Sequence, residues 1–137
     1  MATTIVTALV GKEILSQSVH NSTLGVFNGL NSMISDVDIK KIIKNLDIET
    51  KLNIINSFIK SMKDINLSEH IIISINSINE IIKEIEKEIN DINKEIIEHK
   101  SKWFYYLRKT NNLENINKLK KSLKILDSRF DILMKLL

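Results

Sequence analysis

The sequence predicts an all-α fold, a bundle of four or five helices that ends in a heptad-patterned helical hairpin, with one domain over residues 1–137. Three observations predict it. Ile71, Ile75, Ile78, Ile82, Ile85, Ile89, Ile92 and Ile96 recur at alternating gaps of four and three, a rhythm that stays on one face only in a helix lying against another helix. Ile116, Leu119, Leu123, Leu126, Phe130, Leu133 and Leu137 repeat it near the C-terminus. Proline is absent and all three glycines fall within the first 29 residues, so nothing after Gly29 forces a helix to break.

The first segment, about Thr3 to Met33, carries Ile5, Leu9, Ile14, Leu15, Val19, Leu24, Phe27, Leu30 and Met33 or Ile34 at roughly helical spacing. Another face aligns Ser18, Ser22, Gly25 and Gly29 at gaps of four, three and four. Small residues so placed let a neighbouring backbone approach, in membrane dimers and in a tightly packed central helix of a soluble bundle; the second reading is favoured here. Gly25 is alternatively a bend. Ser35, with Asp38 three residues on, has N-cap spacing and opens a short helix with Ile39, Ile42, Ile43 and Leu46 inward. Asp47 reads as the next N-cap, before Leu52, Ile55, Phe58, Ile59 and Met62; a single helix kinked near Asn45 is the alternative. Ser68 reads as the cap of the isoleucine helix, with Glu69 at the positive end of its dipole.

The β-branched run from His70 to Ile78 would suit a strand, but the seam continues unbroken for several more turns. Extending its register places His99, Trp103 and Tyr106 on the same line. A helix of some 40 residues would span about 60 Å, twice a small domain, so a break is expected near His99 to Lys102. Thr110, Asn111 and Asn112 form the last loop, and a helix runs from there to the end.

A composition of 43% hydrophobic and 27% charged residues is globular, not disordered. A chain of 137 residues can bury about two-thirds of its unfolded surface. Cysteine is absent, which excludes disulfides, thiolate catalysis and sulfur-bound zinc and fits a cytoplasmic protein. The wealth of Ile, Asn and Lys is what AT-rich codons produce, so no single Asn or Lys carries much weight. No run of about twenty uncharged apolar residues is present, and no basic segment leads the N-terminus, so neither a membrane span nor a secretory leader is expected.

Candidate chemistry is sparse. His20, His70 and His99 lie on separate segments without the H-x-x-x-H spacing of a metal helix, and neither a nucleophile elbow nor a phosphate loop is present. Glu80, Glu84, Glu86, Glu88, Asp91, Glu95 and Glu98 invite comparison with di-iron bundles, but Glu95 and His99 are four apart where that motif needs three. A solvated acidic face is expected instead, supported by pairs such as Glu80 with Lys83 and Glu84 with Lys87. The chain is therefore expected to be non-enzymatic, with no metal and no cofactor.

Charge is unevenly spread. From Ile78 to Glu98 seven carboxylates face Lys83, Lys87 and Lys94, a local −4, whereas from His99 to Lys124 Lys100, Lys102, Arg108, Lys109, Lys118, Lys120, Lys121 and Lys124 face Glu114 alone, a local +7. With Trp103, Phe104, Tyr105 and Tyr106 among them, these cations form a candidate patch for an anionic ligand. The alternative is an aromatic plug kept soluble by lysines. The candidate core or interface seam is Ile78, Ile82, Ile85, Ile89, Ile92, Ile96, Leu119, Leu123, Leu126 and Phe130. Ile72, Ile73, Ile81 and Ile97 broaden it beyond what one partner helix covers, and isoleucine at both seam positions favours more than two strands. The expected function is a protein–protein assembly module that forms homo-oligomers. A membrane-acting helical domain and a nucleic-acid accessory protein are the alternatives.

Two resemblances rest on particular residues. The run Lys102 to Lys109 (KWFYYLRK), a short polar loop, and then Leu123 to Leu137 (LKILDSRFDILMKLL) resemble small uncharacterised helical proteins of giant DNA viruses of amoebae, which implies host cytoplasm or virion as location. The order of a long acidic helix, a tryptophan turn and a final heptad helix, over Ser68 to Leu137, is similar to the HeLo-type four-helix bundles of cell-death executors. That likeness implies action on membranes through basic patches.

Overall fold

The computed structural model describes residues 2–33, 37–62, 67–101 and 113–137, and side chains within 15–33, 39–62, 67–98 and 114–137. Its helices are α1 (Ala2–Asn31), α2 (Val37–Asn45), α3 (Ile48–Ser61), α4 (Glu69–Ser101) and α5 (Leu113–Leu136), with no strand among the described residues. The all-α bundle expected from the two seams is what forms.

The eight isoleucines of the first seam are all buried, and so are Ile116, Leu119, Leu123, Leu126 and Leu133 of the second. They meet as an antiparallel hairpin. Ser122 Oγ of α5 donates to Glu88 Oε1 of α4 at 2.7 Å, and farther along Arg129 Nη1 donates to the Ser77 carbonyl at 2.6 Å, so positions rise on one helix as they fall on the other. Phe130 is only partly buried because it turns toward α3, where its ring meets Phe58 edge-on at 5.7 Å and 89°. Leu137, expected in the seam, is exposed: α5 ends one residue earlier, and the heptad no longer directs it.

On its other side α4 packs along α1, and here the two helices run parallel. Asn79 Nδ2 donates to Ser18 Oγ at 2.9 Å, Gly25 lies under the Glu86 carboxylate, and Gly29 lies against Ile89 and Asn90, a steady advance on both helices. The small-residue stripe thus does what its spacing predicts. Ser22 Oγ also donates to Asn79 Oδ1, and Asn93 Nδ2 to the Gly29 carbonyl. Leu24 is exposed, contrary to expectation, because the buried line of α1 runs through Val19, Val26 and Met33 and Leu24 projects from the opposite side.

The two glycines should respond differently to a methyl group. A Cβ on Gly29 would lie 2.8 Å from Cγ2 of Ile89, a branched side chain fixed in the core, whereas a Cβ on Gly25 would meet only the movable end of Glu86. Overpacking costs about 1–3 kcal/mol and alanine regains about 1 kcal/mol of helix propensity. Gly29→Ala is therefore expected to lower the urea midpoint and Gly25→Ala to leave it unchanged or raise it. Equal effects would show that the stripe is not in contact.

α1 also packs along α3, and α3 reaches α5 through Phe58 and through an ion pair of Lys51 Nζ with Asp127 Oδ2 at 3.2 Å. The long helices thus close a ring in the order α1, α4, α5, α3. Between α2 and α3 the chain breaks at Asp47, with φ 53° and ψ 43°. Asp tolerates this left-handed conformation better than most residues. The break settles against a single kinked helix and leaves Asp47 at the expected N-cap of α3, its carbonyl accepting from the Lys51 amide at 3.3 Å, but its side chain makes no cap bond. Ser68 does precede α4, its carbonyl accepting from the Ile71 and Ile72 amides at 3.1 Å. Of the apolar residues expected inward on α2, Ile39 and Ile43 are buried and Leu46 partly so, while Ile42 lies at the exposed edge. The expected cap at Ser35 and the loop at Thr110 to Asn112 lie outside the described residues. α4 is helical as far as Ser101, the last described residue before 113, so the break expected near His99 to Lys102 falls at the edge of the described residues.

Candidate functional site

The seam residues Ile78, Ile82, Ile85, Ile89, Ile92, Ile96, Leu119, Leu123 and Leu126 form the core of the bundle. Of the residues expected to broaden the seam, Ile81 is buried as well and Ile72 partly so, while Ile73 and Ile97 are exposed. Any apolar surface offered to a partner therefore lies away from the seam.

Among the described residues the largest group of exposed apolar side chains lies at one end. Ile132, Met134, Leu136 and Leu137 are each about half exposed on the last two turns of α5, which with buried Leu133 are apolar on most sides. The antiparallel register that sets Glu88 beside Ser122 and Ser77 beside Arg129 brings Ile73, 60% exposed, level with the final turn of α5. A helix apolar nearly all round is normally covered. Sequence reading placed Leu137 in the seam and Ile73 beside it, and did not single out Ile132, Met134 or Leu136. The signal was present in the consecutive run Ile132, Leu133 and Met134, which no seam two residues wide can bury.

Midway along the hairpin lies a polar line that also departs from expectation. Glu88 is buried, not solvated, at 6% exposure. One oxygen accepts from Ser122 and the other has no partner. Burial is the main cause that raises its pKa above the ordinary 4.5, opposed by the Ser122 hydrogen bond; Glu84 raises it further and Lys118 and Lys87 lower it. One heptad on, Glu95 points Oε2 into the protein without a partner, and burial raises its pKa too, against hydrogen bonding from Asn115 and with Glu114, Asp91 and Glu98 adding to the rise. Glu80 and Glu84 are exposed as expected, but neither pairs with Lys83 or Lys87. The ion pairs among the described residues are Lys51 with Asp127 and, one helical turn apart, Lys118 with Glu114 at 3.5 Å.

No group of three or more His, Asp or Glu side chains among the described residues could hold a metal ion. His20 Nδ1 lies 3.3 Å from Asn56 Nδ2, a bridge between α1 and α3, and His70 is exposed. Of the candidate anionic-ligand patch, Lys118, Lys120, Lys121 and Lys124 are exposed on α5. Lys100 belongs to α4 with its side chain undescribed, and Lys102, Trp103, Arg108 and Lys109 lie outside the described residues. Among the described residues no helix is long and apolar enough to cross a membrane.

The chain is similar to an uncharacterised protein of Acanthamoeba polyphaga mimivirus, 28% identical over 150 aligned positions that cover 87% of this chain and 72% of the viral protein. The resemblance to uncharacterised proteins of giant amoebal viruses therefore extends well beyond the C-terminal runs that first suggested it. No family model matches the chain. No solved structure matches it.

Proposed function

We propose that this protein is a non-enzymatic assembly module that self-associates through the apolar end of its bundle. The observation that supports this reading is the half-exposed cluster of Ile73, Ile132, Met134, Leu136 and Leu137. A two-fold contact brings the same patch of both copies together, so the patch must tolerate itself. This one does, because the exposed charged side chains among the last seven residues are Asp131 and Lys135, one of each sign and able to pair across an axis. The partner of the surface is on this reading a second copy, and the wide isoleucine seam contributes stability to each subunit instead of contacts between them.

Light scattering coupled to size exclusion tests it. The wild type is expected to run as a dimer or higher multimer, and a variant with Ile132→Asp and Leu136→Asp as a monomer that keeps its helicity, since both side chains are already about half in water. A wild type that stays monomeric at about 100 μM, weaker than about −5.5 kcal/mol of association, would sink the proposal.

A further inference from the structure

A second surface lies at the other end of the bundle and is assembled from two helices that the sequence does not associate. α2 presents Lys40, Lys41 and Lys44 to solvent, opposite buried Ile39 and Ile43. α5 presents Lys118, Lys120, Lys121 and Lys124 in its first half. The topology brings them to one end. α1 and α4 are parallel, and Ser18 faces Asn79 across an interval of 61 residues, so the end of α1 at Asn31 lies level with Ile92. There α4 faces the start of α5, between the Glu95 with Asn115 and Glu88 with Ser122 levels. α3 runs parallel to α5, with Lys51 against Asp127 and Phe58 against Phe130, so α3 also starts at this end. α2, which links α1 to α3, can lie nowhere else.

We propose that this lysine face binds the phosphodiester backbone of nucleic acid without sequence preference. Exposed carboxylates lie near it at Asp47, Glu49, Glu98 and Glu114, but only Lys118 is paired, with Glu114; Lys40, Lys41, Lys44, Lys120, Lys121 and Lys124 make no ion pair among the described residues. Six cations spread over two helices match a repeating row of phosphates better than one compact anion. A membrane surface is the poorer fit, because peripheral binding needs apolar side chains to insert beside the cations. Among the described residues at this end Ile42, 37% exposed, and Ile97, 57% exposed, are isolated side chains, and the larger group of exposed apolar residues sits at the opposite end. The proposal is independent of self-association.

Fluorescence anisotropy on the full chain tests it, with a labelled DNA duplex of about 20 base pairs, in about 50 mM and about 200 mM salt. Binding is expected in low salt and should weaken about a thousandfold in the higher salt if six phosphates are neutralised. Lys40→Glu with Lys44→Glu, and separately Lys120→Glu with Lys124→Glu, should each weaken it at least about tenfold. Lys60→Glu with Lys135→Glu, both exposed toward the opposite end of the bundle, changes net charge equally and should cost no more than about twofold. The proposal is overturned by no binding at about 100 μM protein in low salt, by equal losses in all three variants, or by an α2 variant that binds like wild type. Flotation with anionic phosphatidylserine vesicles that persists in the higher salt without duplex binding would also overturn it, in favour of a lipid surface.

Discussion

Ile85→Asp or Ile89→Asp is expected to unfold the protein. Both side chains are wholly buried in the middle of α4, where the helix is covered by α1 on one side and α5 on the other. A carboxylate there would replace a wholly buried side chain of the hydrophobic core. Burying such a group costs several kcal/mol, and the total stability of a domain is only about 5–15 kcal/mol. The loss of the isoleucine adds a further 2–5 kcal/mol or so from transfer and cavity. Far-UV circular dichroism and size exclusion should show lost helicity or aggregation, while Ile97→Asp, at an exposed position of the same helix, should melt like wild type. Wild-type melting of both core variants would mean that the seam is not packed as described.

The second large effect is on pH dependence, and its sign follows from Glu88. Burial in the α4–α5 interface raises its folded pKa above the unfolded value, so the folded state holds the proton more tightly. The stability this contributes is full below the unfolded value near 4.5 and is lost as pH rises through the higher folded value. Glu95 acts in the same direction. The groups facing Glu88 do not cancel the shift: Ser122 and Lys118 on α5 and Lys87 on α4 favour the carboxylate, and burial together with Glu84 outweighs them. Oε2 is buried without a partner, so burial penalises the ionised form. Glu88→Gln should melt higher than wild type at pH 7 and lose this advantage below pH 4.5. Ser122→Ala removes the hydrogen bond to Oε1 and should cost about 1–3 kcal/mol at pH 7. A Glu88→Gln variant that is less stable than wild type at pH 7 would mean that the carboxylate is paired or solvated after all.

What could be read in the sequence depended on whether a pattern repeats. The isoleucine and leucine seams were legible because burial on one side of a helix imposes a period, and eight repetitions leave little doubt about the period. The small-residue stripe on α1 was legible for the same reason. Isolated positions were not. Glu88 has the same neighbours in sequence as the exposed Glu84, and only the approach of α5 with Ser122 separates them. Asp47 read as a cap and stands at the N-cap of α3, but its left-handed backbone and its side chain without an amide were not legible. The two groups of lysines could not be joined from sequence either, since they lie some 80 residues apart and meet through the direction of α3, a property of the assembled ring. The apolar end was hidden by its own pattern: Leu133 continues the heptad, and its neighbours were not singled out beside it.

A seam built from one repeated residue has a weakness. Isoleucine follows isoleucine at every level of α4, so α1 could slide along it by one heptad and meet an almost identical surface. The polar contacts remove that ambiguity. Asn79 is buried and satisfied by Ser18 and Ser22. Moving α1 by seven residues in either direction would put Gly11 or Gly25 in place of Ser18, and Leu15 or Gly29 in place of Ser22. None of those side chains can serve the amide, and a buried polar group left unsatisfied costs about 1–3 kcal/mol. Slipped alignments are penalised in the way that a single buried asparagine fixes alignment in coiled coils. Asn79 thus adds little to the stability of the bundle and much to its uniqueness, selecting one alignment among several that the isoleucines alone would hold almost equally well.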